Sequence, residues 1–260
     1  MRNIVTVSFF AIIFFLFSAN KLEHSKEYRI RTVVIDAGHG GKDPGTHGKS
    51  AREKDVALKV ALEVGNLIEE SFSDVKVIYT RKNDTFIELI DRAGIANKNN
   101  ADLFISIHCN SGPGAAHGTE TYTMGLHTTS GNLAVAKREN SVILQEDNYQ
   151  ENYNGFNPSS PEGHILFSLY QSAYIDNSLR FAEKVEREFK SRVGRSSRGV
   201  KQAGFLVLWK SAMPSALIEL GFLTNQGEEK FLNDKTGQTY MASGIYRAFK
   251  EYKKELEAMN

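Results

Sequence analysis

The sequence has a single cysteine, Cys109, in 260 residues, so no intramolecular disulfide can form. The chain must hold itself together by burial, and a chain of this length buries enough apolar surface to do so without staples. Charge of one sign is also scarce. The 32 basic and 31 acidic residues leave a formal net charge of +1, which removes the bulk electrostatic case for a nucleic-acid partner. There are no internal repeats and no clear linker, so one generous domain, or at most two small ones, is expected. Hydrophobic residues at 41% and charged residues at 24% make an ordinary globular composition.

The N-terminus is the exception to that composition. Arg2 precedes an apolar run from Ile4 to Ala19, short for a membrane span and followed by polar Asn20-Lys21. The pattern reads as a secretory signal peptide over residues 1–24, with Ser18-Ala19 offering small residues for cleavage. No cysteine follows the run, so acylation of the lipoprotein type is not expected. The folded domain should occupy residues 25–260, exported across the inner membrane to the periplasm with no permanent membrane span after cleavage.

From Arg31 strand and helix signals alternate. Short β-branched or apolar runs at Thr32–Ile35, Val75–Tyr79, Leu103–Ile107, Thr119–Thr123, Phe205–Trp209 and Ser215–Glu219 read as strands. Helical spacing marks Val56–Ile68, Ile87–Ala96, Leu179–Phe189 and Tyr240–Leu256. The expected fold is α/β, a mostly parallel twisted sheet flanked by helices. One excursion, residues 130–176, carries no strand signal. Leu133–Leu144 reads as helix, Glu146–Gly163 as loop, and a long helix is expected from near His164 through Arg180. Long strand-free excursions in compact domains are usually functional or disordered. The basic residues Arg187, Lys190, Arg192, Arg195, Arg198 and Lys201 read as a solvated helix end and loop in preference to the alternative, a rim that attracts an anionic polymer.

His39 follows the first strand, His108 ends the third, and Glu219 ends a late one. Open α/β sheets collect their sites at the C-terminal ends of parallel strands, so this trio suggests a metal hydrolase. Because successive strand residues face opposite ways, His108 shares a face with Ser106 and Asn110, and Cys109 points away. Glu219 lies in the apolar run Ala216–Leu223, where a carboxylate needs a cation, a donor or a metal-bound water to compensate its burial. Glu53, in Arg52-Glu53-Lys54-Asp55, is no better marked than Asp43 or Asp55, since acidic residues favour a first helical turn. Asp36 is a candidate for orienting His39.

These residues carry a resemblance. Val34-Ile35-Asp36-Ala37-Gly38-His39-Gly40-Gly41-Lys42-Asp43-Pro44-Gly45, Arg52–Asp55, Tyr79-Thr80-Arg81, Arg92–Asn97, Ser106–Asn110 and Pro214–Asn225 stand in order along the chain. The sequence resembles the zinc-dependent N-acetylmuramoyl-L-alanine amidases, the family that includes the division amidases of double-membrane bacteria. The resemblance implies a Zn2+ cofactor held by His39, Glu53 and His108, a catalytic Glu219, and a peptidoglycan substrate cut between N-acetylmuramic acid and L-alanine. Arg81 and Asn110, with Asp36, lie in the matching stretches and are candidates for outer-layer or substrate contacts. One position departs: Trp209 follows Val207-Leu208 where the family usually has arginine.

In division amidases an insertion at the place of residues 130–176 carries a helix that offers a glutamate to the zinc. Ala134–Ser141 is similar to that segment, which implies an autoinhibitory role for Glu139 and an activator protein, one with an inactive peptidase-like domain, to displace the helix. Two other readings stand beside this one. A zinc carboxypeptidase-like hydrolase could use the same residue set. A non-catalytic wall-binding module would lose ligands, whereas all four positions are present here.

Overall fold

The computed structural model describes residues 29–126, 129–168 and 174–259, so the expected signal segment lies outside them. Six strands form one sheet: β1 (Thr32–Ala37), β2 (Lys76–Tyr79), β3 (Leu103–Asn110), β4 (Thr119–Met124), β5 (Ser197–Ala203) and β6 (Ser215–Phe222). Their order is β2-β1-β3-β6-β4-β5. From β2 to β6 the neighbours are parallel; β4 runs antiparallel to β6, and β5 parallel to β4. The expected mostly parallel α/β sheet is thus present. Among the described residues eight α-helices accompany it: α1 (Glu53–Ser71), α2 (Leu89–Lys98), α3 (Ser130–Asn140), α4 (Tyr149–Asn152), α5 (Pro161–Ser168), α6 (Ile175–Glu188), α7 (Gln226–Asn233) and α8 (Lys235–Ala258).

All eight residues of β3 and all eight of β6 are buried. Central parallel strands covered on both faces read as continuous apolar runs for this reason. Alternation sorts them into two cores. Ile35, Ile105, Ile107, Cys109, Ile218 and Leu220 pack with α1, α6 and α8. Val34, Phe104, Leu217 and Tyr122 face the other way, toward the excursion and the segment at 205–209. Asp36, His108 and Glu219, an even number of residues from Val34, Phe104 and Leu217, fall on the excursion's face.

Four expectations are corrected. Phe205–Trp209 is not a strand. Its amides bond back to nearby carbonyls, Leu208 and Trp209 N–H donating to Phe205 O, so it is a compact turn. Its apolar side chains reflect burial in the second core, which a turn and a strand can satisfy equally. The strand beside β4 is instead Ser197–Ala203, hidden within the basic stretch because an edge strand tolerates charged, half-exposed side chains. Of the long helix expected from His164 through Arg180, residues 169–173 lie outside the described ones; α5 covers Pro161–Ser168, where proline suits a first helical turn, and α6 starts afresh at Ile175 after the non-helical Tyr174. The helix expected at Leu133–Leu144 is present as α3 continuing into a 3-10 turn at Ser141–Gln145, whereas the stretch expected as loop, Glu146–Gly163, contains the short helix α4 and the start of α5.

Candidate metal centre

The loop after β1 brings the first histidine into place. His39 sits in the left-handed region at φ 60°, followed by Gly40 at 124° and Gly41 at 56°. A non-glycine residue there is strained, and such strain persists only where the surroundings enforce it. Two buried arginines do so. Arg92 donates to Ala37 O at 2.8 Å and His39 O at 2.9 Å, and Arg81 donates to Ala37 O at 3.0 Å and Gly38 O at 2.7 Å. Glycine is required at two contacts. A Cβ on Gly38 would lie 2.5 Å from the His108 ring, and one on Gly45, at φ 65°, would lie 2.6 Å from both Glu53 Oε2 and the His39 ring.

Glu53 is the first residue of α1 and fully buried. Its Oε2 accepts from Thr46 N–H at 2.7 Å and its Oε1 from Cys109 N–H at 2.8 Å. Two distant backbone amides therefore aim this carboxylate. His108 and Glu219 are register partners across β3 and β6. From above, α3 presents Glu139, 4% exposed.

Four donor atoms converge. His39 Nε2 lies 3.0 Å from Glu53 Oε1 and 3.2 Å from Glu139 Oε2. His108 Nδ1 lies 3.1 Å from Glu53 Oε1 and 3.0 Å from Glu139 Oε2. Tetrahedral ligands about 2.0–2.1 Å from zinc would stand roughly 3.3 Å apart; these four contacts are of that size, and all four atoms lie within 4.8 Å of one another, close enough to hold a metal ion. The angles agree. His39 Nε2 and Glu139 Oε2 are buried and close, yet neither makes a hydrogen bond. Short contacts without hydrogen-bond alignment are what donors aimed at a common point produce. Two imidazoles and two carboxylates are also the hard-to-intermediate donor set that suits zinc.

Burial opposes charge on every member, and the neighbours then decide the outcome. Against burial, the Glu53 carboxylate and the Asp43 contact hold His39 well above its ordinary value. Glu139 pushes His108 up to about 9 against the same burial. The His39 charge outweighs burial at Glu53 and draws it down to about 2. Glu219 goes the other way: burial and then the Glu139 charge raise it well above the usual carboxylate range. Neither of its oxygens has a hydrogen-bond partner, and Arg138 Nη2 stands 3.5 Å from Oε1. Of the compensations a buried Glu219 needs, a cation is present only at this longer range, and it comes from the excursion.

The expectation that Asp36 orients His39 is corrected. Asp36 accepts from Thr80 Oγ1 at 2.6 Å, Ser106 Oγ at 2.7 Å and Arg92 Nη1 at 2.9 Å, and does not touch the ring. Asp43 holds it instead, with Oδ2 at 2.6 Å from His39 Nδ1, which leaves Nε2 for the pocket. The spacing His39-x-x-x-Asp43 in a glycine-rich loop was the available signal. Arg81 braces the His39 loop from outside the pocket. Asn110 bonds Glu120 and accepts from Arg138 Nη2 at 2.9 Å. Sequence reasoning assigned no role to Arg92, Glu120 or Arg138. Trp209 joins the second core, its ring 6.5 Å from that of Tyr153, and does not enter the pocket.

With this geometry in hand, comparison with known proteins is specific. Residues 33–251 match the family described as N-acetylmuramoyl-L-alanine amidase. The chain is 34% identical over 223 residues to the N-acetylmuramoyl-L-alanine amidase AmiC of Escherichia coli O6:H1, an alignment covering 85% of this chain and 52% of that one. The chain thus spans about half the length of that relative. The crystal structure of N-acetylmuramoyl-L-alanine amidase from Clostridium difficile 630 superposes with a TM-score of 0.65 at 30% identity, covering 86% of this chain and 97% of that chain. The CwlD amidase from Clostridioides difficile, solved in complex with the GerS lipoprotein, superposes at 0.62 with 26% identity over 85% of this chain and 98% of that one.

Proposed function

The chain belongs to the N-acetylmuramoyl-L-alanine amidase family, and from that premise we propose that it hydrolyses the amide between N-acetylmuramic acid and L-alanine in peptidoglycan, with zinc as cofactor and its own α3 as a reversible block. The convergence of His39, Glu53, His108 and Glu139 on one point, with Glu219 beside them, carries this reading.

His39, Glu53 and His108 would hold the ion. Bound there, zinc supplies Lewis acidity, which brings the pKa of water down to roughly 7 and polarises a carbonyl. Glu53 is fixed by the Thr46 and Cys109 amides, so its charge stays in place through the reaction. Glu219 accepts the proton of the attacking water and passes it to the departing L-alanine nitrogen. Burial and the Glu139 charge raise its pKa in the resting arrangement, and withdrawal of α3 would remove the second cause. In the resting form Glu139 occupies the fourth donor position, and Arg138 lies against Glu219. Both come from α3, so withdrawal of this single helix would clear the metal and the base together. An activator protein would supply the displacement, as the CwlD relative's complex with a lipoprotein encourages one to test. Among the described residues no helix is long and apolar enough to cross a membrane, and periplasmic delivery by the signal segment completes the proposal.

The test is digestion of purified sacculi by the full chain and by Glu219→Gln. The substituted protein should keep its zinc by elemental analysis and lose roughly 10²–10⁴-fold in rate. An active Gln variant would sink the assignment. Release of intact stem peptides with free L-alanine N-termini distinguishes the amidase from a carboxypeptidase, which would shorten the stems from their C-terminal end.

A further inference from the structure

The basic stretch from Arg187 to Lys201 divides in the fold. Arg187 pairs with Glu251 and Arg195 with Glu228, bracing α6 and α7 against their neighbours. Arg198 and Lys201, on β5, differ. Both side chains bond one atom, Glu120 Oε1. Glu120 is 2% exposed, and its other oxygen accepts from Asn110 Nδ2 at 2.9 Å and Tyr122 Oη at 2.7 Å. One buried carboxylate therefore holds two cations, and the cluster carries one positive charge in excess.

Its position is set by topology. β4 runs antiparallel to β6, which puts Glu120 opposite Glu219. β5 runs parallel to β4, with Ser197 opposite Thr119. The N-terminal end of β5 thus reaches the sheet edge where His39, His108 and Glu219 converge. Neighbouring strands lie about 4.8 Å apart, so Arg198 starts roughly 10 Å from the strand of the proposed base. Its guanidinium carbon rests 5.2 Å from the Phe222 ring centroid, the side chain as a whole is 44% exposed, and among the described residues only Nε is engaged. Protection of an edge strand by charge would account for Arg and Lys here. It does not account for a buried carboxylate that orients both of them at the active-site end.

A stacked, half-anchored guanidinium with its terminal nitrogens available is pre-organised for a carboxylate. The substrate provides one. In peptidoglycan the residue after L-alanine is D-isoglutamate, whose α-carboxylate is free, or its amidated form. Two residues of extended peptide span about 7 Å, and the arginine side chain covers the remaining distance. We infer that Arg198, supported by Glu120 and Lys201, determines specificity by binding the free carboxylate of the second stem residue. The inference rests on the amidase reading.

Uncrosslinked glycan strands bearing either D-isoglutamate or D-isoglutamine stems test it, with kcat/KM measured for the full chain, Arg198→Gln and Arg198→Lys, each also carrying Glu139→Ala. The unsubstituted Arg198 form should favour the acid stem by roughly tenfold, the energy of one charge-assisted bond. Arg198→Gln should bring that ratio to about one, mainly through KM, and Arg198→Lys should restore part of it. Each ratio is internal to one preparation, so partial misfolding cancels. No preference with Arg198 present, or a preference unchanged by Gln, overturns the inference and leaves the amidase intact. Cleavage of neither strand by any form removes the amidase reading and the inference with it.

Discussion

Glu53 reaches the pocket because it opens a helix, and its carboxylate points inward because the Thr46 and Cys109 amides hold it there. Those contacts come from 7 and 56 residues away, so nothing in Arg52-Glu53-Lys54-Asp55 announces them. Only the family resemblance selected this residue. His108 and Glu219 were legible from position alone, as polar residues at the ends of apolar strands. Asp43 stood in the sequence only as an alternative to Glu53, while Asp36 was the candidate for orienting His39; both flank the loop, and the choice depends on which way the left-handed backbone turns the ring. The correction predicts a separable phenotype. Asp43→Asn retains the geometry and weakens the carboxylate–imidazole contact that fixes the tautomer, so zinc affinity should fall roughly 10–100-fold. Chelator competition measures it. Asp36→Asn, remote from the ring, should leave zinc affinity much closer to that of the unsubstituted protein, and an equal loss in both would contradict the assignment.

At the scale of the element, α3 stands on a prepared seat. Val135 and Ala136, with Val142 and Ile143 of the following turn, enter the second core beside Phe205 and Leu206. Asn140 fixes the register, its Nδ2 donating to Gly204 O at 2.7 Å and its Oδ1 accepting from Leu206 N–H at 2.8 Å. The turn at 205–209 is thus the floor on which α3, the helix proposed to block the pocket, rests. Its apolar pattern was visible, but its partner lies some 65 residues earlier in the chain, and a local pattern cannot tell a buried turn from a buried strand. Deleting residues 132–148 would strip that floor of its cover, exposing apolar surface as well as removing the block. Glu139→Ala separates the two effects. It removes one carboxylate and keeps the apolar seat, so basal hydrolysis of sacculi should rise at least several-fold with little change in melting temperature. Unchanged basal activity would mean that Glu139 does not restrain the enzyme.

Across the whole molecule, Asp36 is the point where the layers are tied. It lies on β1, accepts from Ser106 of β3 and from Thr80 just beyond β2, and pairs with Arg92 of α2. Arg92 in turn holds the carbonyls of Ala37 and His39. Burial alone would raise the Asp36 pKa, but the Arg92 charge and the two hydroxyl donors bring it below the ordinary carboxylate value. A carboxyl whose pKa is lower folded than unfolded binds fewer protons in the native state. Its stabilising contribution is complete above the unfolded pKa, near 4, and is lost as pH falls through the folded value. Asp36→Asn removes the titration and leaves Arg92 buried without its counter-charge, a loss of about 3–5 kcal/mol. Urea unfolding of the metal-free protein should therefore show the full deficit at pH 7 and a smaller one toward pH 3, where the unsubstituted protein surrenders the same interaction. A deficit that stays constant across that range would show that the Asp36–Arg92 pair does not couple protonation to folding.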